Sequence, residues 1–149
     1  MKKDVEIKIT GTQELKDENG RISKDENKLL ATGEYTEEKG IHKIKFEEVT
    51  EEGVFNSVIK ISEKHISGKP KLTFVRSSNK KIIAQMTYIC NEETYNKYVT
   101  PVGEMVINVE TKDISFSKMD NQINALIKYN LGLGEGEKIK SRLHIEIKE

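Results

Sequence analysis

The most constraining feature of this chain is a side-chain alternation of period two that recurs from one end to the other. Val5, Ile7 and Ile9 alternate with Glu6, Lys8 and Thr10, and Leu143, Ile145 and Ile147 alternate with His144, Glu146 and Lys148. Successive side chains of a strand point to opposite faces, so each run reads as a strand with one buried and one wet face. The same pattern marks strands over residues 4–15, 41–49, 54–62, 94–100 and 138–148. Others carry Leu29 to Tyr35, Leu72 and Phe74, Met105 to Val109, and Ile114 and Phe116. Residues 81–90 are apolar on both faces, which places that strand centrally in a sheet. Residues 16–27 are polar and contain Asn19-Gly20, a loop or hairpin connection. Lys39-Gly40, Glu51-Glu52-Gly53 and Ser77-Ser78-Asn79-Lys80 turn the chain, and Gly68 and Pro70 break it over residues 63–70.

Residues 119–130 fit two templates. Met119, Ile123, Leu126 and Ile127 approximate helical spacing, with Asp120 placed to cap a helix. Ile123, Ala125, Ile127 and Tyr129 fit a strand, and the strands on either side favour that reading. Short strands at regular spacing with no helix between them indicate an all-β fold, an antiparallel up-and-down β-barrel of about 8–10 strands. With 149 residues and no second composition regime, residues 1–149 form one domain. A chain of this length can bury roughly 70% of the surface its unfolded form exposes, so it needs no metal or disulfide to hold a core.

Charge narrows the range of functions. The 25 basic and 25 acidic residues cancel, which argues against a nucleic-acid partner. The lysines are uneven: Lys60, Lys64, Lys69, Lys71, Arg76, Lys80 and Lys81 face only Glu63 within residues 56–90. That stretch reads either as an anion-contacting face or as solvated hairpins whose lysines discourage edge pairing. The single cysteine, Cys90, allows no intrachain disulfide and suits a reducing compartment. Met1-Lys2-Lys3 opens like a signal peptide, but Asp4, Glu6 and Lys8 interrupt the apolar run behind it. The expectation is a cytoplasmic protein with no membrane segment.

The order and spacing of several short motifs resemble a known family. They are Gly11-Thr12-Gln13, Val75-Arg76-Ser77, Gln85-Met86, and Tyr98 followed by Thr100-Pro101-Val102-Gly103. Thr111-Lys112, Tyr129 and the closing Leu143-His144-Ile145-Glu146-Ile147 complete the set. Together they are similar to the YwiB-like family of small, uncharacterised bacterial proteins. The resemblance implies a calycin, lipocalin-like β-barrel along the whole chain. It implies no catalytic residues, because the family carries no established activity.

No catalytic constellation is readable, and an enzyme is not expected. His42, His65 and His144 stand at no metal-ligand spacing to Cys, Asp or Glu, so neither a metal nor a cofactor is expected. Gly132-Leu133-Gly134-Glu135-Gly136 is followed by a strand where a phosphate cradle needs a helix. Glu47-Glu48 and Glu51-Glu52 read as solvated strand ends.

Polar residues in phase with the core are the remaining signal. Gln13 follows Val5, Ile7, Ile9 and Gly11. His42 and Glu48 share the face of Ile44 and Phe46. Arg76 shares that of Leu72 and Phe74, and Tyr98 and Thr100 lie on one face of their strand. Such inward groups either close a barrel end or orient a ligand. Gln13, His42, Arg76, Tyr98 and Thr100 are therefore the ligand-binding candidates. An inward Arg76 needs an acceptor such as Glu48, or a ligand anion. A bulge directly after Phe74 would turn Arg76 outward instead. Two functions follow from this pattern. One is a non-catalytic barrel that takes a small, partly apolar molecule in its interior. The other is a filled barrel acting as a structural or interaction module through a strand edge or the lysine-rich stretch.

Overall fold

A computed structural model describes residues 2–16, 18–64, 68–79, 81–100, 102–132 and 138–149. The elements are β1 (Lys3–Lys16), β2 (Ile22–Glu38), β3 (Ile41–Thr50), β4 (Gly53–Ser62) and β5 (Lys71–Ser78). They continue with β6 (Lys81–Ile89), β7 (Glu93–Thr100), β8 (Gly103–Met119), β9 (Gln122–Gly132) and β10 (Ile139–Lys148). Each strand pairs antiparallel with its sequence neighbour, and β1 pairs with β10 to close the barrel. The fold is the expected antiparallel up-and-down barrel, with ten strands.

Alternation builds the core. Ile7 lies across from Ile147 and Ile9 from Ile145 in the β1–β10 ladder. Ile44 lies across from Ile59, and Ile61 from Leu72. All of these side chains are buried, together with Tyr35, Phe46, Tyr88, Val109, Ile114, Ile123 and Ile127. β-branched residues crowd these positions because they pack well on a pleated, half-buried surface.

Residues 119–130 are resolved in favour of the strand. Asp120 does not cap a helix. It sits at φ 51° in the turn joining β8 to β9, with Met119 paired to Gln122. Lys39 and Gly40 both have positive φ, 51° and 78°, and join Glu38 to Ile41. That two-residue turn matches the strand twist, and its second position suits glycine.

Three local expectations are corrected. Of the two readings of residues 16–27, the hairpin holds and the loop does not: the β1–β2 ladder continues out to Lys16 opposite Ile22, and most of the segment belongs to β2. The hairpin tip projects beyond the barrel, where neither face is buried, so its alternation is polar and invisible to a hydrophobicity argument. Residues 103–119 are one strand, not two. Thr111 pairs with Tyr129 and Asp113 with Lys128, so a bulge at Lys112 moves the inward face from Val109 and Thr111 to Ile114 and Phe116. β6 is not a central strand in the sense expected, since a closed barrel has no edge-to-centre gradient, and Ile82 on it is mostly exposed.

The wall is uneven. β2 pairs with β3 only from Gly33–Phe46 to Glu38–Ile41, so residues 22–32 of β2 have no partner on that side. Gly33 stands where the two strands part. A Cβ there would meet the Lys45 carbonyl oxygen at 2.2 Å, so only glycine allows this approach. The β6–β7 seam has a single ladder pair, Ala84–Tyr98. Side chains complete it: Asn96 Oδ1 accepts the Thr87 amide at 2.8 Å, and Thr94 Oγ1 donates to the Thr87 carbonyl at 2.6 Å. Cys90 is buried just after β6, and its Sγ lies 3.8 Å from the Lys112 carbonyl oxygen.

Candidate functional site

An up-and-down barrel places alternate turns at opposite ends. The β1–β2, β3–β4, β5–β6 and β7–β8 turns form one end, and the chain termini lie at the other. The inward row of β1 shows how the two differ. Val5, Ile7 and Ile9 are buried, Gly11 and Gln13 are partly open, and Leu15 is exposed. The barrel is packed toward its termini and opens toward the β1–β2 hairpin.

Arg76 faces inward at the open end. The irregularity in the β5–β6 ladder falls between Arg76 and Ser77, so Leu72, Phe74 and Arg76 keep one phase. Arg76 Nη2 lies 3.5 Å from Glu48 Oε2, with the side chains 28% and 18% exposed. The guanidinium carbon sits 4.2 Å from the centre of the Phe55 ring. Glu48 is thus an inward partner and not one of a pair of solvated carboxylates. Arg76 Nε is buried without a hydrogen-bond partner, and so is Oγ of Ser57, which pairs with Arg76 across the β4–β5 ladder. Sequence reasoning missed Ser57. Its signal was available, since it is the one polar member of the row Phe55, Ser57, Ile59, Ile61.

Where β2 and β3 part, the wall opens into a cleft of about 670 Å³ lined by Ile7, Leu29, Ala31, Thr32, Glu48 and Val49. Glu48 links the cleft to Arg76. Of the other expected residues, Gln13 is partly buried on the inward row of β1, opposite Ser141 and Asp25. Tyr98 is 38% exposed. Thr100 is occupied by its own turn, where Oγ1 donates to the Gly103 carbonyl at 2.8 Å and accepts the Val102 amide at 3.3 Å.

His42 is not with them. It lies near the β2–β3 turn at the terminus end, fully buried. Its Nδ1 shares a 2.6 Å hydrogen bond with the Tyr35 hydroxyl, and its ring packs against Phe116 with centroids 4.8 Å apart. Burial raises the Tyr35 hydroxyl above its ordinary pKa, with the nearby Lys118 ammonium working in the opposite direction. Glu37 and Glu63 flank His42, each with an oxygen 3.5 Å from Nε2.

The lysines of 56–90 do not share one face. Lys64 and Lys69 lie in the connection after β4, Lys81 begins β6 at the opposite end, and Arg76 points inward. His65, Lys80 and the loop from Leu133 to Gly136 lie outside the described residues.

These features define a class: a closed, ten-stranded, up-and-down β-barrel, packed at one end and open with inward polar groups at the other. More particularly, the chain belongs to the family described as a domain of unknown function, DUF1934, which matches residues 7–145. Among solved structures it is similar to the crystal structure of the ywiB protein from Bacillus subtilis. The TM-score is 0.73 at 17% identity, over 99% of this chain and 92% of that one. That likeness supports the fold. No curated protein matches the chain. Among the described residues no helix is long and apolar enough to cross a membrane.

Proposed function

We propose that this protein is a non-catalytic, calycin-like binding barrel that takes a small, partly apolar molecule at its open end. The observation that carries this reading is the pair of orphaned polar atoms there, Arg76 Nε and Ser57 Oγ, buried on adjacent strands without partners. A buried donor without a partner costs about 1–3 kcal/mol, so such atoms point to an absent acceptor. Ile7, Leu29, Ala31 and Phe55 supply an apolar lining nearby, the usual make-up of a small-molecule site. The matching ligand has an apolar body and an oxygen-bearing head, the head placed between Arg76 and Ser57.

Native mass spectrometry of freshly purified protein, followed by titration with the fluorescent fatty acid cis-parinaric acid, tests this. The expected result is a retained mass or saturable one-to-one probe binding, weakened at least about tenfold, the equivalent of 1.4 kcal/mol, in Arg76→Lys and Ser57→Ala. A bare chain with no saturable probe binding would overturn the reading. The competing reading is an interaction module. It draws support from the unpaired edge of β2 between residues 22 and 32, where a partner strand could add. Size-exclusion chromatography across a concentration series would then show self-association or capture of an extended peptide.

A further inference from the structure

The end of the barrel opposite the open mouth carries a second arrangement, independent of the first. Glu37 lies next to the last residue of β2, His42 pairs with it next to the first residue of β3, and Glu63 follows β4, so the β2–β3 turn and the β4–β5 connection bring three donors together. One ligand atom from each lies within 4.8 Å of the other two. The turn between them is held by the Glu63 amide donating to the Gly40 carbonyl at 3.0 Å.

The histidine makes this more than two surface acids. His42 is 0% exposed, and its Nε2 is buried with no hydrogen-bond partner. It points at the two carboxylates, each 3.5 Å away on a side chain that is 40–43% exposed. Two donors bound to one zinc ion at about 2.0–2.1 Å and a tetrahedral angle stand about 3.3 Å apart. The two separations from Nε2 are close to that, and a side-chain rotation of the exposed carboxylates closes the remainder. The opposite ring nitrogen, Nδ1, is held at 2.6 Å by the Tyr35 hydroxyl. With Nδ1–H donating to Tyr35, the lone pair sits on Nε2, the tautomer a metal requires, and the ring is locked in place by Phe116.

We infer that Glu37, His42 and Glu63 form a binding site for a divalent transition-metal ion of the zinc class. Two carboxylates and a neutral imidazole balance a double positive charge. This donor set of nitrogen and oxygen suits zinc, cobalt or manganese and lacks the thiolates of soft-metal sites. Lys118 lies 3.2 Å from the second oxygen of Glu37 and orients that carboxylate. A cleft of about 670 Å³ that includes Glu63 and Phe116 reaches the site, so a fourth position remains for water or a small ligand. The ion would tie three successive strands together at their ends.

The test is isothermal titration of EDTA-treated, dialysed protein with zinc chloride, with cobalt chloride in parallel for its visible absorption. One ion per chain is expected, with a tetrahedral or five-coordinate cobalt spectrum. Glu63→Gln and Glu37→Gln, both at exposed side chains, should each weaken binding at least about tenfold. Tyr35→Phe removes the outer partner of the ligating ring, together with its contact to Lys118, and should weaken it roughly 10–100-fold. No saturable binding by the wild-type protein would overturn the inference. So would binding that persists unchanged in Glu37→Gln, Glu63→Gln and their double variant, since the ion would then sit elsewhere. His42 need not be replaced, so loss of folding does not confound the result.

Discussion

Asn96 Oδ1 accepts the amide of Thr87 at 2.8 Å in a seam where the two strands exchange only one backbone ladder pair. A side chain thus does the work of a carbonyl, and its amide nitrogen in turn donates to Thr94 Oγ1 at 3.1 Å. Asn96 is nearly fully buried, so water cannot replace it. Asn96→Ala should therefore destabilise the barrel by about 1–3 kcal/mol, the cost of a buried amide left without an acceptor. Urea unfolding is the measurement, and an unchanged midpoint would show that the seam is held some other way.

Gly33 supports a second prediction. Its missing Cβ leaves room for the Lys45 carbonyl oxygen, which would otherwise stand 2.2 Å away, and for Ile7 and Phe46 at 3.0 Å. The backbone oxygen cannot move without breaking the β2–β3 ladder at its last pair. Gly33→Ala should cost roughly 1–3 kcal/mol or more, as overpacking does. Amide hydrogen exchange should speed up in residues 33–38 first. Equal protection in the variant and the parent protein would contradict this account.

Arg76 and Glu48 form a partly buried pair 3.5 Å apart. An exposed pair is worth less than about 1 kcal/mol, and orphaning one member of a fully buried pair costs roughly 3–5 kcal/mol. With 28% and 18% side-chain exposure, Arg76→Ala belongs between these, at roughly 1–3 kcal/mol. The double variant Arg76→Ala, Glu48→Gln should recover part of the loss, because the stranded carboxylate is gone. Thermal melts of the parent, Arg76→Ala, Glu48→Gln and the double variant check it, and strict additivity would show that the two residues do not interact.

Tyr88 and Tyr129 stack edge to face with centroids 5.0 Å apart. Burial raises both hydroxyls above the ordinary 10.0, Tyr88 far above, with the neighbouring Tyr129 adding to its shift. A group whose pKa is higher in the folded state gives its full stabilisation below the unfolded value. That stabilisation is lost as pH climbs past 10. The barrel should lose stability in that alkaline range, with both phenols ionising only as it unfolds. Near-ultraviolet absorbance and circular dichroism recorded together should show coincident transitions. Early, reversible ionisation of all the tyrosines before any loss of structure would refute it.

Much of this was legible in the chain itself. Alternation carried most of the ten strands, because one buried face per strand forces apolar residues into every second position. It also carried Arg76 inward and offered Glu48 as an acceptor beside a ligand anion, since phase persists along a strand until a bulge intervenes. Alternation failed wherever burial did not follow from strand phase. The β1–β2 hairpin tip is strand with no core to face, and the bulge at Lys112 resets the phase inside one strand.

What only the tertiary structure decided is which strand ends meet. Glu37 and His42 face each other across the β2–β3 hairpin, but Glu63 lies just past the end of β4, and no local spacing relates it to them. The three converge because the β2–β3 turn and the exit of β4 lie at the same end of a closed barrel. The same closure sends His42 away from Gln13, Arg76, Tyr98 and Thr100. Phase tells which side chains point inward, whereas height along the barrel axis depends on register. The parting of β2 from β3 at Gly33 and the bare β6–β7 seam likewise exist only in the pairing of the strands. Local pattern can dictate the face of each residue, but distances between residues far apart in the chain exist only once the wall is closed.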